Sequence, residues 1–175
     1  GERQRHFSMQ VFNADGSEAE ISGNGLRCLA ALLFEQGHVA DRAFAIRTGA
    51  GVKCLTLMSS NPPAYSFNLL MGEPILDPRA IDFQTDYPGI SLVGYPLVVE
   101  DSIYRVTVTS MGNPHCSLIV EDLEKIDWER LGALIEVHSS FPRRANVEFV
   151  QVLDRNNLAV RFWERGVGKT LASGT

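Results

Sequence analysis

The chain has 175 residues, of which 45 % are hydrophobic and 21 % are charged, and its formal net charge is -5 at pH 7. This composition is typical of a globular protein, not of a disordered or fibrous one, and no basic stripe indicates a nucleic-acid partner. Since no run approaches the roughly 18 consecutive apolar residues of a membrane helix and no charged-then-apolar leader precedes the first strand, we expect a cytoplasmic protein that binds a small molecule.

The first half of the chain predicts short strands around one apolar helix. "HFSMQVF" alternates as a strand does, and the turn sequence "NADGSE" ends this strand near Asn13. From Gly25, "LRCLAALLFEQG" is apolar on nearly every side, which indicates a buried helix. Ser22 or Asn24 would be its N-cap and Gly37 its C-cap. The strand-like runs "AFAIRT", "VKCLTLM" and "AYSFNLLM" follow, and they predict an antiparallel or mixed sheet that curls around the helix.

The second half predicts a second lobe. The Pro-rich segment "GEPILDPRAIDFQTDYPG" marks the change, so the predicted lobes are residues 1–72 and 73–175. Strands are predicted at "PLVVE", "YRVTVTSM" and "CSLIVED", an amphipathic helix at "DLEKIDWERLGALIEVH", and further strands at "NVEFVQVL" and "LAVRFWE". The last strand runs into "RGVGKTLASGT", after which a second helix is expected.

A strand, a turn and a Ser-Gly pair occur twice. Ser22 follows Asn13 by nine residues, and Ser173 follows Glu164 by nine residues. Each junction would aim a hydroxyl group and the free N–H groups of a helix start at one point, and such N–H groups bind carboxylates or phosphates. Both serines fit as plain N-caps, but the glycines around Ser22 exceed what a cap needs and let a ligand approach the backbone.

Two loops invite a ligand-binding interpretation. "GVGKT" lacks the phosphate-loop pattern, because Trp163 stands where that pattern needs glycine. "MGNPHC" lies between two strands and either presents Asn113 and His115 to a ligand or forms a tight turn with His115 at the surface.

Further polar residues stand at the ends of predicted strands. Asn146 lies where a strand begins, although strands disfavour Asn, so it serves either a turn or a ligand. Glu164 and Arg165 end a strand beside the second Ser-Gly pair. They are either an exposed ion pair or a pair that recognises an amine and a carboxylate.

The cysteines indicate neither disulfides nor a metal. Cys28, Cys54 and Cys116 are odd in number and lack zinc-site spacing, and the histidines form no metal pattern. We therefore expect reduced, buried thiols and no metal.

Five segments occur in order: "FNADGSEAEISGNGLRC", "MGEP", "SMGNPHC", "RANVEF" and "ERGVGKTLASGT". In them, from about Phe7 to Thr175, the chain resembles the diaminopimelate epimerase family. The resemblance implies an α+β fold of two pseudo-symmetric lobes, each a curled mixed or antiparallel sheet around a central helix, with an amino-acid substrate between the lobes. It also implies a homodimeric isomerase of lysine and cell-wall precursor biosynthesis that interconverts LL- and meso-diaminopimelate without pyridoxal phosphate or another cofactor.

The resemblance assigns roles to the two junctions. In the family, a cysteine thiolate removes the α-proton and an opposing cysteine thiol delivers a proton to the other face of the carbon. This chain has Ser22 and Ser173 at those two positions. A planar carbanion needs an acid and a base on opposite sides, and a helix N-terminus lowers the pKa of a cysteine from its usual value of about 8.5.

Other matching positions extend this assignment. Glu164 and Arg165 match the pair beside the reacting centre, and His115 matches a histidine that tunes proton transfer. The positions that match substrate-binding residues are Asn13, Gly23, Asn24, Asn113, Asn146, Arg165, Gly174 and Thr175. Lys169 stands where the family usually has Glu.

The departures from the family keep alternatives open. The family has a segment before this sequence and a helix with strands after it, so we expect a fold truncated at both ends. A serine hydroxyl is a far weaker acid than a thiol, so two serines should reduce turnover severely. The chain is then an engineered variant, a paralogue with altered chemistry such as a racemase of another amino acid, or a catalytically silent amino-acid-binding protein.

Overall fold

The computed structural model describes residues 7–13, 15–85, 87 and 89–174. They form two compact units, one of the residues up to Glu73 together with Gly174 and the other of Pro74–Ser173. Both units are rich in strands and contain few helices, which confirms the α+β prediction. The predicted lobes 1–72 and 73–175 stay a prediction, since a compact unit need not fold as an independent domain.

The first unit contains six strands and one helix among its described residues. They are β1 (Phe7–Ser8), β2 (Val11–Phe12), β3 (Glu18–Ala19), α1 (Gly23–Glu35), β4 (Ala43–Thr48), β5 (Gly51–Asn61) and β6 (Ala64–Leu70). The main sheet has the order β1-β4-β5-β6, in which only the β1–β4 pair is parallel, and β2 pairs with β3 in a separate hairpin. This mixed sheet agrees with the prediction.

The prediction of one continuous first strand is wrong. Phe7 lies opposite Ile46 of β4, whereas Phe12 lies opposite Glu18 across the hairpin turn. The two pairings belong to different sheets, so the chain must break between them. The strand does end before Asn13, as predicted, because the turn begins there.

Helix α1 packs one stripe against the main sheet. Leu26, Ala30 and Leu33 are buried in a core that includes Ile46 and Leu55. Their spacing matches one face of a helix. The helix begins after the predicted N-cap Ser22, and its C-cap is Gln36, followed by Gly37 with a φ of 66°.

The prediction that α1 is buried on all sides is wrong. Leu32 is 50 % exposed and Cys28 is also exposed. The core that the helix shares with the sheet lies on one face of α1, and Asn24, Arg27, Cys28, Leu32 and Glu35 are exposed. Cys54 is exposed on the outer face of β5, so of the three thiols only Cys116 is buried as predicted.

The second unit contains two helices and six strands among its described residues. They are α2 (Pro78–Ile81), β7 (Tyr95–Val99), β8 (Ser102–Ser110), β9 (Pro114–Ile119), α3 (Trp128–Glu136), β10 (Asn146–Val152), β11 (Leu158–Glu164) and β12 (Gly168–Thr170). The sheet has the order β12-β11-β10-β9-β8-β7. Only β9 and β10 pair in parallel, and α3 lies in the crossover between them.

The predicted amphipathic helix is shorter than expected. It was predicted over residues 122–138 but begins at Trp128, because the Asp127 carboxylate accepts a hydrogen bond from Arg130 N at 3.2 Å and caps the helix there. Leu131 and Ile135 pack into the core of the second unit. The helix expected after the second Ser-Gly pair falls outside the described residues, so it stays a prediction.

Alternation along β9 and β10 separates the core from a polar face. Cys116, Leu118, Val147 and Phe149 are buried in the core that contains α3. Strand residues alternate between the two faces of a sheet, so His115, Ser117, Asn146 and Glu148 lie together on the opposite face. This polar face positions one part of the candidate site.

Two absences hold within the described ranges. No helix there has the length and apolarity that a membrane crossing requires. No group of three or more His, Cys, Asp and Glu residues there has the arrangement of a metal site.

Candidate active site

The first Ser-Gly junction is the start of helix α1. Ser22 is half-buried, and its Oγ accepts a hydrogen bond from Gly25 N at 3.0 Å while its carbonyl accepts one from Leu26 N at 2.9 Å. The first turn of α1 contains no acidic residue. The partial positive charge of the helix N-terminus is therefore not compensated by a carboxylate of its own first turn, and it favours an anion near Ser22.

Gly23 and Gly174 lie in direct backbone contact. A Cβ atom placed on Gly23 would lie 2.4 Å from the carbonyl oxygen of Gly174. A Cβ atom placed on Gly174 would lie 3.0 Å from the Gly23 Cα and 3.1 Å from Asn24 N. Both positions therefore require glycine, since a side chain at either would collide with the main chain of the other. Two residues predicted from separate motifs thus meet in the first unit.

Two predicted asparagines of the first unit hold local structure with their side chains. Asn13 Nδ2 donates to Ser17 Oγ at 3.0 Å and closes the hairpin turn between β2 and β3. The Asn24 amide oxygen accepts a hydrogen bond from Arg27, one turn later in the same helix. The exposed side chain of Asn24 is thus tied to α1, and its backbone N–H at the helix start is the group available to a ligand.

The second junction follows β12. Ser173 is half-buried, and Thr175, the last predicted binding residue, lies outside the described residues.

Lys169 Nζ contacts Glu129 Oε1 at 2.6 Å and lies 5.2 Å from the centroid of the Trp128 ring. Lys169 therefore packs against two residues of the first turn of α3.

Arg165 is held in place by its surroundings. It is 8 % exposed, its backbone N–H donates to Asn146 Oδ1 at 2.9 Å, and its Nη1 donates to Arg143 O at 3.0 Å. The exposed ion-pair interpretation therefore does not hold for Arg165. Asn146 also donates from Nδ2 to Pro114 O at 3.3 Å. The side-chain amide of Asn146 therefore connects Pro114, at the start of β9, to Arg165, in the turn after β11.

Sequence reasoning missed the carboxylate that anchors this turn. Glu136, at the end of α3, is 8 % exposed and accepts hydrogen bonds from Trp163 Nε1 at 2.7 Å and from Gly166 N at 2.9 Å. These contacts hold the chain on both sides of Glu164 and Arg165. No local pattern marks Glu136, because its donors are 27 and 30 residues away.

His115 lies inside a buried polar cluster, not at the surface. His115 is 4 % exposed and Asn113 is 6 % exposed. The ring nitrogen Nδ1 lies 2.7 Å from Glu148 Oε1, and Nε2 lies 3.0 Å from Asn113 Oδ1. Ser117 Oγ donates to Glu148 Oε2 at 2.9 Å.

Burial raises the pKa of the neighbouring Cys116 thiol well above its usual range, and the negative charge of Glu148 raises this pKa further.

Sequence reasoning also missed Glu148 and Ser117. Their signal was the alternation itself, because polar residues at 115, 117, 146 and 148 interleave with apolar residues on two strands that were both predicted. The structure brings Asn113, His115 and Asn146 together in the second unit, and Ser22, Gly23, Asn24 and Gly174 together in the first.

The chain matches known proteins along most of its length. The family model described as diaminopimelate epimerase matches residues 1–76 and 107–175. A curated relative named diaminopimelate epimerase from Pelotomaculum thermopropionicum is 44 % identical over 168 residues, 96 % of this chain and 59 % of the relative. One of the same name from Desulforapulum autotrophicum is 45 % identical over 167 residues, 95 % of this chain and 58 % of the relative. The chain thus spans about three fifths of these relatives' length.

Solved structures share the fold at low sequence identity. A hydroxyproline epimerase from Agrobacterium vitis, with bound trans-4-OH-L-proline, has a TM-score of 0.65 and 14 % identity, and the match covers 89 % of this chain and 48 % of that one. A probable proline racemase from Agrobacterium radiobacter has a TM-score of 0.59 and 15 % identity, with 93 % of this chain and 51 % of that one covered. These similarities show the fold alone.

Proposed function

This chain belongs to the diaminopimelate epimerase family, and from that premise we propose that it interconverts LL- and meso-diaminopimelate. The reaction inverts the α-carbon by two-base proton transfer and needs no cofactor. It is an isomerase step of lysine and cell-wall precursor biosynthesis. A cytoplasmic homodimer is part of this proposal and comes from the resemblance alone.

The observation that carries the proposal is the position of Ser22 at the start of α1. The Gly25 N–H donates to Ser22 Oγ, and the helix N-terminus favours negative charge there. Both effects stabilise the deprotonated form of a group at this position, which is what a proton-abstracting base requires. We assign Ser22 and Ser173 to opposite faces of the substrate α-carbon.

The backbone at the first junction supplies the second requirement of the reaction. Removal of the α-proton places negative charge on the carbon and on its carboxylate, and fixed N–H groups stabilise such charge. Gly23 and Asn24 contribute N–H groups at the helix start, and glycine at positions 23 and 174 lets two main-chain segments meet there without a side chain between them.

The second unit supplies recognition groups. The Arg165 guanidinium is suited to a substrate carboxylate and the Glu164 carboxylate to an ammonium group. Asn113 and Asn146 provide amide hydrogen bonds, and His115 tunes proton transfer. Asn146 acts in part by fixing the backbone of Arg165, as its contacts indicate.

Stereoisomer analysis tests this proposal. Purified protein is incubated with LL-diaminopimelate, with L-proline and with L-lysine, and the products are separated by chiral chromatography. Conversion of diaminopimelate alone, reduced by Ser22→Ala and by Ser173→Ala, supports the proposal. Conversion of another amino acid in preference would instead indicate a racemase of that compound.

A catalytically silent amino-acid-binding protein is the second candidate. It is favoured by the hydroxyl groups at both carrier positions, since serine is far less acidic than cysteine and Ser22 Oγ already serves as an N-cap. Calorimetric binding of meso-diaminopimelate without any conversion would support this second function.

A further inference from the structure

We propose that Glu136 is a positioning residue for substrate recognition, which acts on Glu164 and Arg165 through the turn that follows β11. Its carboxylate fixes the chain on both sides of these two residues, so that their opposite charges meet the ammonium and carboxylate groups of one amino acid. The inference rests on the proposed function, because it assigns those ligand groups to Glu164 and Arg165.

The first step concerns the two side-chain oxygens of Glu136. Oε2 accepts a hydrogen bond from Trp163 Nε1 at 2.7 Å, and Oε1 accepts one from Gly166 N at 2.9 Å. An indole N–H and a main-chain N–H can only donate, so the residue types fix the roles in both bonds. The Glu136 side chain is 10 % exposed, so water competes weakly for these bonds. Glu136 thus holds the chain directly before Glu164 and directly after Arg165.

The second step concerns the conformation of the turn. Gly166 has a φ of 71°, in the left-handed region that glycine adopts readily. Because glycine has no Cβ, the Gly166 backbone can adopt many other conformations once its N–H is released. Val167 N donates to Glu164 O at 3.1 Å, which closes the turn but does not attach it to another element. The bond to Glu136 provides that attachment, because it ties the turn to α3.

The third step concerns the support that α3 gives to this bond. A Cβ atom placed on Gly132 would lie 2.8 Å from Trp163 Cβ, so α3 packs directly on β11 one helical turn before Glu136. Leu131 and Ile135 of the same helix are buried in the core of the second unit. The Glu136 carboxylate therefore projects from an element that is itself held by packing on both sides of this position.

Glu136 also reaches the Arg165 side chain through the main chain. The Glu136 carbonyl accepts a hydrogen bond from Ala145 N at 3.1 Å, and Arg165 Nη1 donates to the Arg143 carbonyl at 3.0 Å. The segment that receives the guanidinium is thus attached to the end of α3 as well. An amino acid carries its ammonium and carboxylate groups on one carbon, so Glu164 and Arg165 must keep a fixed relative position to contact both.

Calorimetric binding of meso-diaminopimelate to two variants tests the positioning role. Glu136→Met removes both acceptor oxygens and releases the N–H groups of Trp163 and Gly166. Val99→Ala is the matched control, because it removes methyl groups from a residue that is 4 % exposed in the same core but lies in β7, at the far edge of the sheet. Both changes should lower the midpoint of urea unfolding, but only Glu136→Met should lower the affinity, by about tenfold. Equal affinities in the two variants overturn the proposal.

Amide hydrogen exchange, resolved by NMR, tests the attachment of the turn in the unchanged protein. Gly166 N and Asn156 N both donate to a carboxylate oxygen, but the partner of Asn156, at 2.8 Å, is the exposed Asp154. After correction for intrinsic rates, Gly166 should exchange at least about tenfold more slowly than Asn156. Exchange at Gly166 as fast as at Asn156 overturns the proposal, and this result is available even if Glu136→Met fails to fold.

The two measurements separate failure of this proposal from failure of the proposed function. If the unchanged protein binds no diaminopimelate while Gly166 is protected, the proposed function fails and the attachment of the turn by Glu136 stands. If the unchanged protein and Glu136→Met bind diaminopimelate equally well, the proposed function stands and the positioning role of Glu136 fails.

Discussion

The two Ser-Gly junctions have similar sequences, and each lies beside a different element of the fold. Ser22 caps a 13-residue helix whose stripe of Leu26, Ala30 and Leu33 packs on a sheet. Ser173 follows the three-residue strand β12, and Gly174 after it lies against Gly23. What the two junctions share is the glycine after each serine, since neither Gly23 nor Gly174 has room for a side chain.

The proposed carrier roles of the two serines have different support. For Ser22, the contact with Gly25 N and the helix N-terminus support the proposed role. For Ser173, the proposed role comes from the family pattern alone. The same substitution made at Ser22 and at Ser173, singly and together, will therefore show whether the two serines form one functional pair.

Restoring the family's thiols should have the largest effect. Ser22→Cys combined with Ser173→Cys should raise the rate of α-proton exchange by about a thousandfold, since a thiolate is accessible at neutral pH and an alkoxide is not. Each single change should give much less, because both faces need a carrier. Ser66→Cys, at an exposed position of β6, is the matched control. A double variant no faster than the unchanged protein would contradict the pairing of the two junctions.

Filling the backbone contact should have the next largest effect. Gly23→Ala places a methyl group 2.4 Å from the Gly174 carbonyl oxygen and should destabilise the protein by about 3 kcal/mol in urea unfolding. Gly25→Ala is the matched control, because the added atom meets the Ser22 side chain at 3.2 Å and the helix gains from alanine. Equal losses for both variants would show that the contact with Gly174 is unimportant.

In the second unit, the corresponding anchor is Glu136. Glu136→Gln turns an amide nitrogen toward either Trp163 Nε1 or Gly166 N, both of which are donors, and should cost about 2 kcal/mol in urea unfolding. The exposed control Glu124→Gln should cost less than about 1 kcal/mol. If the two variants were equally stable, the turn that carries Glu164 and Arg165 would not depend on Glu136.

Thiol labelling compares the two units without any mutation, and we expect the smallest effect here. Cys28 and Cys54 of the first unit are exposed, whereas Cys116 is buried and its pKa is raised by that burial and by Glu148. Since the thiolate is the reactive form, iodoacetamide should modify two thiols in the folded protein and the third only in urea. Mass spectrometry counts the adducts, and rapid modification of Cys116 in the folded protein would show that the core of the second unit opens readily.

Much of the fold followed from local patterns. The strands β4 to β11 lie where alternation and turn residues predicted them, and Ser22 caps α1 as its residue type indicated. The first strand was misjudged because its two ends pair with different sheets, which is information that no local pattern carries. The exposure of Leu32 was missed for a similar reason, since burial depends on which elements cover the helix.

The sequence indicated those residues of the candidate site whose contacts lie within one short motif, and it did not indicate those whose contacts are long-range. Ser22 and its N-cap contact lie within one short motif, and Gly23 was marked by the glycine spacing. The contacts of Glu136 and Glu148 span about 30 residues, and only strand pairing and the α3 crossover bring them into reach. The burial of His115 and Arg165 likewise depends on long-range packing.

The central claim is that both serines exchange protons with one substrate carbon, and proton NMR in heavy water tests it most directly. LL- and meso-diaminopimelate are incubated with the protein, and loss of the α-proton signal is followed against a blank without protein. If both serines carry protons, exchange should be slow but above the blank, and it should fall in Ser22→Ala and in Ser173→Ala. Exchange equal to the blank, with substrate signals still broadened by binding, would contradict the account and leave a protein that binds the amino acid without reacting with it.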